Sequence, residues 1–111
     1  MKTPVEVIDE AVRRIVDEAH PVQVVVFGSA VRGDFGPDSD LDLLVVMPDG
    51  TDRLETGYRA HRALRGLGCA ADIVVVLESE VAATRDNPSL VVHTALTEGR
   101  EVYHETTPSL C

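Results

Sequence analysis

The stretch Val24–Met47, VVVFGSAVRGDFGPDSDLDLLVVM, decides the fold of this chain. It opens with an apolar run that predicts a strand over Val22–Phe27, and it closes with a second such run over Leu41–Met47. The polar connection between the two runs is short. The strands are therefore expected to lie antiparallel, with the end of the first beside the start of the second.

Residues suited to phosphate chemistry stand where these two strands meet. Gly28-Ser29 follows the first strand, and Asp40-Leu41-Asp42 opens the second after ten intervening residues. Residues two apart in a strand point to one face, so Asp40 and Asp42 are expected to project together. One rim of the sheet would then carry a hydroxyl, free backbone N–H groups and two carboxylates. These groups are suited to holding a metal-bound triphosphate.

A third carboxylate follows from the order of the remaining elements. About 20 residues separate the second strand from the apolar run Ala71–Leu77, which permits a parallel crossover through a helix within Thr51–Leu67. Asp42 and Asp72 would then stand at the starts of neighbouring parallel strands. The unbroken apolar run predicts a third strand buried on both faces.

Three ionised carboxylates in one place favour a bound cation. At about 4 Å and an effective dielectric near 20, each pair repels by on the order of 4 kcal/mol. Oxygen-only ligands select Mg2+ or Mn2+, and two such ions are the usual device for in-line displacement at phosphorus. Arg32, three residues after Ser29, is a candidate phosphate contact because one helical turn would bring it over the same site.

The rest of the chain predicts helices around this sheet. Thr3-Pro4-Val5-Glu6 is a capping box that opens an amphipathic helix ending at His20-Pro21. The fold class is therefore α/β (α+β), a single compact domain over 1–111 with a small mixed β-sheet flanked by helices and a flexible tail over 105–111. The later elements are a short helix capped by Ser79, a helix restarting at Asn87-Pro88, and a short edge strand over Arg100–His104.

The outer surface of the middle helix can be interpreted in two ways. Leu54, Tyr58 and His61 trace one apolar face with Leu64 or Arg65, while the arginines fall partly on one stripe. We interpret that stripe as solvated, with a Glu55–Arg59 ion pair at helical spacing; a partner or triphosphate contact is the alternative. The four arginines are Arg53, Arg59, Arg62 and Arg65.

Composition limits the function classes. The net charge of −9, the 4% aromatic content and the absence of Trp argue against direct nucleic-acid binding. No apolar run approaches membrane-spanning length, and Cys69 and Cys111 form no metal or disulfide framework. These features predict a cytoplasmic protein.

The run FGSAVRGDFGPDSDLDLLVV resembles the signature of the DNA polymerase β-like nucleotidyltransferase superfamily, in particular its minimal nucleotidyltransferases, the MNT proteins. The similarity extends to Asp72-Ile73-Val74 and to the closing LVVHTALTEGREVYH. It implies the palm-like fold of polymerase β, with Gly28 and Ser29 binding the nucleotide phosphates. Asp40 and Asp42 would be ligands of both Mg2+ ions, and Asp72 would bind the catalytic one and help deprotonate the acceptor.

The resemblance also implies a partner. MNT proteins are typically antitoxins paired with a HEPN-domain toxin, to which they transfer AMP from ATP at a tyrosine. We therefore expect a protein adenylyltransferase that assembles with its toxin, since the chain has no residues left for an acceptor-holding domain. Two alternatives stay open, namely an antitoxin that acts by binding alone and nucleotidyl transfer to a small molecule such as an aminoglycoside.

Overall fold

Four helices and four strands make up the described part of the chain. The computed structural model describes residues 4–28, 40–68, 70–84 and 91–105. Thr3, Asn87-Pro88 and both cysteines, all interpreted above, lie outside these ranges. The elements are α1 (Pro4–Ala19), β1 (Gln23–Phe27), β2 (Leu41–Met47), α2 (Arg53–Ala63), β3 (Ala71–Leu77), α3 (Glu78–Thr84), α4 (Val91–Glu98) and β4 (Arg100–His104).

The strands form one mixed sheet in the order β3-β2-β1-β4. β1 pairs antiparallel with β2 and with β4, whereas β2 and β3 run parallel. Both predicted pairings, the short antiparallel connection and the parallel crossover, are confirmed. The β1–β4 ladder continues at Glu105, whose backbone N–H donates to the carbonyl of Val22 at 2.7 Å.

Helices cover both faces of β2, which is the most deeply buried strand. Leu41, Leu43 and Val45 pack with side chains of α1 and α2, while Leu44 and Val46 pack with side chains of α3 and α4. All five are at most 3% exposed. The predicted small mixed sheet flanked by helices is therefore confirmed. In the described part of the chain, no helix is long and apolar enough to cross a membrane.

An arginine joins the two helices on one face of the sheet. Arg14 donates through Nη1 to the carbonyl of Arg65 at 3.0 Å, just after α2 ends, and through Nε to Glu10 at 2.8 Å. Arg13 also donates to Glu10, at 2.5 Å. The α1 helix therefore supplies a cation to carbonyl groups left unpaired at the C-terminal end of α2.

Two packing predictions differ from the structure. β3 is an edge strand in which only Val76 is fully buried, so its apolar run reflects strand preference and partial cover rather than burial on both faces. In α2 the buried residues are the small Thr56 and Ala60, while Leu54 and Tyr58 face solvent. The Thr56 hydroxyl can be buried because it donates to the carbonyl of Asp52 at 2.9 Å.

The start of α3 also differs from its prediction. The helix begins at Glu78, and two carboxylates accept N–H groups at this end, one from its first turn and one from the last residue of β3. Asp49 accepts from the N–H of Ser79 at 3.0 Å, which lowers the pKa of Asp49, and Glu80 accepts from the N–H of Leu77 at 2.8 Å. The N–H of Ser79 is therefore capped by another residue, and Ser79 does not supply the capping side chain as predicted.

Candidate functional site

Asp42 and Asp72 lie side by side at one end of the sheet. The parallel register pairs Asp42 of β2 with Asp72 of β3, the second residue of each strand. Side chains alternate along a strand, so Asp42 shares a face with Leu44 and Val46, the face that packs against α3 and α4. The backbones of the two residues therefore lie one strand spacing apart, about 4.8 Å. The predicted juxtaposition is confirmed.

Gly28 brings the end of β1 against the Asp42 carboxylate. Its φ of +77° lies in the left-handed region, and a Cβ built on it would fall 2.2 Å from Oδ2 of Asp42. No other residue type fits there without displacing that carboxylate. Sequence reasoning singled out Gly28 for close approach to phosphate and missed this contact. The missing information was the β1–β2 register, in which Phe27 pairs with Asp42.

Asp40 lies at the same end of the sheet, one residue before β2 begins. It is exposed, whereas Asp42 is half-buried, so the two aspartates of the motif occupy different environments. The N–H of Leu41 donates to the carbonyl of Ala70 at 2.9 Å and holds this end of β2 beside the start of β3. Ser29 and Arg32, the other predicted phosphate contacts, lie outside the described residues.

The donor set at this edge fits a hard divalent cation. Asp40, Asp42 and Asp72 offer only carboxylate oxygens, the ligands that Mg2+ prefers. Across the described ranges, no group of three His, Cys, Asp or Glu side chains is arranged to hold a metal ion. What the structure brings together is the Asp42–Asp72 pair with Gly28 beside it, while Asp40 is near in sequence and exposed.

A second concavity lies at the opposite end of β2. This cleft, of about 380 Å³, is bordered by the C-terminal end of α1, the end of β2 and the start of α2. Its lining includes Met47, Pro48, Asp52, Glu55 and Arg59. Because β2 runs from Asp42 to Met47, the cleft is separated from the carboxylate pair by most of the length of the strand.

Residues 8–102 match the family model described as nucleotidyltransferase domain. The chain belongs to this nucleotidyltransferase family. The resemblance inferred from the Gly-Ser and Asp-x-Asp motifs is thereby confirmed at the level of the family. The matched region contains all of the carboxylates considered above.

Solved structures agree with this membership. A toxin–antitoxin structure with AMP-PNP has a TM-score of 0.59 and 19% identity, over 86% of this chain and 73% of the other. A mutant of the toxin–antitoxin pair MntA–HpeT has a TM-score of 0.60 and 15% identity, over 95% of this chain and 76% of the other. Both show that this nucleotidyltransferase domain shares the fold of a chain found in toxin–antitoxin structures.

A third similar structure comes from Sulfolobus solfataricus and is provisionally named a nucleotidyltransferase. It is 26% identical, with a TM-score of 0.47, over 78% of this chain and 85% of the other. Among curated proteins, none matches the chain.

Proposed function

We propose that this domain is a Mg2+-dependent protein adenylyltransferase, the antitoxin of a HEPN/MNT pair, which transfers AMP from ATP to a tyrosine of its toxin. The observation that carries the proposal is the Asp42–Asp72 register pair with Gly28 packed against Asp42. Family membership supports the transfer of a nucleotidyl group. The toxin–antitoxin neighbours support a toxin as partner and a hetero-oligomer.

Two neighbouring structures bear on the nucleotide and the carboxylates. One toxin–antitoxin structure was determined with AMP-PNP, an ATP analogue. The MntA–HpeT mutant carries glutamate in place of two aspartates that are two residues apart, the same spacing as Asp40 and Asp42. The AMP-PNP structure supports ATP as the nucleotide. The mutant supports the Asp-x-Asp motif as part of the site.

In this proposal Asp40, Asp42 and Asp72 hold two Mg2+ ions, and Gly28, Ser29 and Arg32 contact the nucleotide phosphates. The ions, when bound, lower the pKa of the attacking hydroxyl and neutralise charge on the triphosphate. Gly28, which has no Cβ, leaves the space that the Asp42 carboxylate occupies. Asp72, on an edge strand and exposed, is open to an acceptor supplied by another protein.

AMP is transferred by a single displacement at the α-phosphorus. The tyrosine Oη forms a bond to the α-phosphorus of ATP, and the bond from that phosphorus to the β-phosphate oxygen breaks. Pyrophosphate leaves, and the phenolic proton passes to a carboxylate oxygen of Asp72. The half-buried Asp42 orients the nucleotide, while the exposed Asp72 meets the acceptor.

Purified protein, α-labelled ATP, Mg2+ and the product of the neighbouring gene test the proposal. Label is expected on a tyrosine of that partner, with transfer lost on chelation of the metal. Asp42→Asn and Asp72→Asn should each lower the rate by about a hundredfold or more. Asp17→Asn, at an exposed carboxylate of α1, is the matched control and should transfer at the unaltered rate. Equal transfer by all four proteins would refute the assignment of the site.

A further inference from the structure

Phe27 lies in the same row of the sheet as the two paired carboxylates. The β1–β2 register sets Phe27 opposite Asp42, and the β2–β3 register sets Asp42 opposite Asp72. Side chains of directly opposed residues project from the same face of a sheet. This row, which we call the site row, therefore places an aromatic side chain on one side of Asp42 and a carboxylate on the other.

The next row on the same face is entirely apolar. Val25 of β1 is opposite Leu44 of β2, and Leu44 is opposite Val74 of β3. These three side chains and the Phe27 ring pack in one cluster with side chains of α3 and α4. Asp42 therefore has hydrocarbon neighbours in two directions, namely Phe27 across the strands and the apolar row along them.

Exposure increases along the site row from β1 to β3. Phe27 and Asp42 are half-buried, whereas Asp72, on the edge strand, is exposed. Hydrocarbon beside a carboxylate lowers the local dielectric constant, which strengthens the attraction of that carboxylate for a cation. The two carboxylates of the row therefore differ in their surroundings, and Phe27 contributes to that difference on the side of Asp42.

We propose that Phe27 is a positioning residue of the candidate metal site, whose ring bounds the β1 side of Asp42 and directs the cation towards Asp72. Phe27 has no ligand atom and acts through Asp42, by keeping water from one side of the carboxylate. Loss of the groups that surround a metal site typically lowers metal affinity about 10- to 100-fold. This inference rests on the metal site of the proposed function.

Titration of Mn2+ into the full chain, followed by electron paramagnetic resonance, tests the proposal without any transfer reaction. Mn2+ accepts the same oxygen ligands as Mg2+. Phe27→Ala should weaken Mn2+ binding by about tenfold or more. Phe27→Leu keeps an apolar side chain beside Asp42 and should bind Mn2+ nearly as tightly as the wild type.

Val25→Ala is the matched control for lost packing. Val25 is 2% exposed and belongs to the same cluster as Phe27, in the row next to the carboxylates. Both alanine variants shorten a side chain of this cluster, so both should unfold at a lower urea concentration than the wild type. Only Phe27→Ala should lose affinity for Mn2+, because only Phe27 is directly opposite Asp42.

Asp42→Asn separates the role of Phe27 from the site itself. This variant should lose Mn2+ binding. If it binds Mn2+ like the wild type, or if the wild type takes up no Mn2+ at millimolar concentrations, both the site and the role of Phe27 are refuted. Loss of binding in Asp42→Asn with unchanged binding in Phe27→Ala refutes the role of Phe27 alone. Equal losses in Phe27→Ala and Val25→Ala also overturn that role, because general packing would then explain both.

Discussion

At the scale of single residues, the contact between Gly28 and Asp42 is the most restrictive feature of the site. Gly28 combines a left-handed backbone with a neighbouring carboxylate that leaves no room for a Cβ. Either condition alone would favour glycine, and together they tie the end of β1 to the position of Asp42.

Gly28→Ala is expected to abolish most activity, because a methyl group would displace the Asp42 carboxylate. A misplacement of about 1 Å can lower a rate about a hundredfold, and the left-handed backbone adds about 1–2 kcal/mol of destabilisation. Gly50→Ala is the matched control, since its φ of +91° imposes similar strain with nothing within 4 Å of the new Cβ. The transfer assay and urea unfolding separate the two effects. Similar loss of activity in both variants would contradict this role for Gly28.

At the scale of elements, the backbone packs closely against other backbone at the junction between α4 and β4. A Cβ on Gly99 would lie 2.3 Å from the carbonyl oxygen of Ala95 and 2.8 Å from that of Val26. This close packing lets the chain leave α4 and enter the sheet beside β1. Gly57, inside α2, has nothing within 4 Å of the equivalent position.

Alanine at these two glycines should therefore change stability in opposite directions. Gly99→Ala overpacks a rigid junction and is expected to lower the free energy of unfolding by about 1–3 kcal/mol. Gly57→Ala removes a glycine from a helix interior and should raise it by about 0.5–1 kcal/mol. Urea unfolding of both variants measures the difference. A Gly99→Ala protein as stable as the wild type would contradict this prediction, because the junction would then accommodate the added methyl group.

The link between α1 and α2 gives a prediction for acid. Hydrogen bonds from Arg13 and Arg14 lower the pKa of Glu10 from 4.5 to about 2. Because the folded pKa is depressed, the stabilisation is complete above about pH 4.5 and is lost as the pH falls through about 2. The Glu10→Gln variant should lose less stability than the wild type between these values. The difference is small because the pair is partly exposed, and urea unfolding at several pH values measures it. Parallel pH profiles for the two proteins would contradict the assignment.

At the scale of the whole molecule, connection lengths in the sequence predict most of the topology. A short connection lets β1 and β2 lie antiparallel, and a crossover of about 20 residues permits parallel β2 and β3. The pairing of Asp42 with Asp72 follows from these constraints. The sequence therefore predicts the part of the site in which two neighbouring strands bring residues together.

The packing features that the sequence could not predict depend on which residues of other helices or strands lie against each element. In α2 the large Leu54 and Tyr58 suggested the packed face, yet the space beside α1 accommodates only small residues such as Ala60. The burial of β3 depends on its place at the sheet edge, which no local pattern reveals. The Gly28–Asp42 contact likewise depends on a register set across two strands.

The intact mass of the toxin after co-expression tests the central claim, that the Asp42–Asp72 edge transfers AMP to a partner protein. Toxin co-expressed with the wild-type protein should gain the mass of an adenylyl group. Toxin co-expressed with Asp42→Ala should gain none, and the Asp17→Asn control should match the wild type. An unmodified toxin in cells that the wild-type protein fully protects would contradict catalysis, and would show that the antitoxin acts by binding alone.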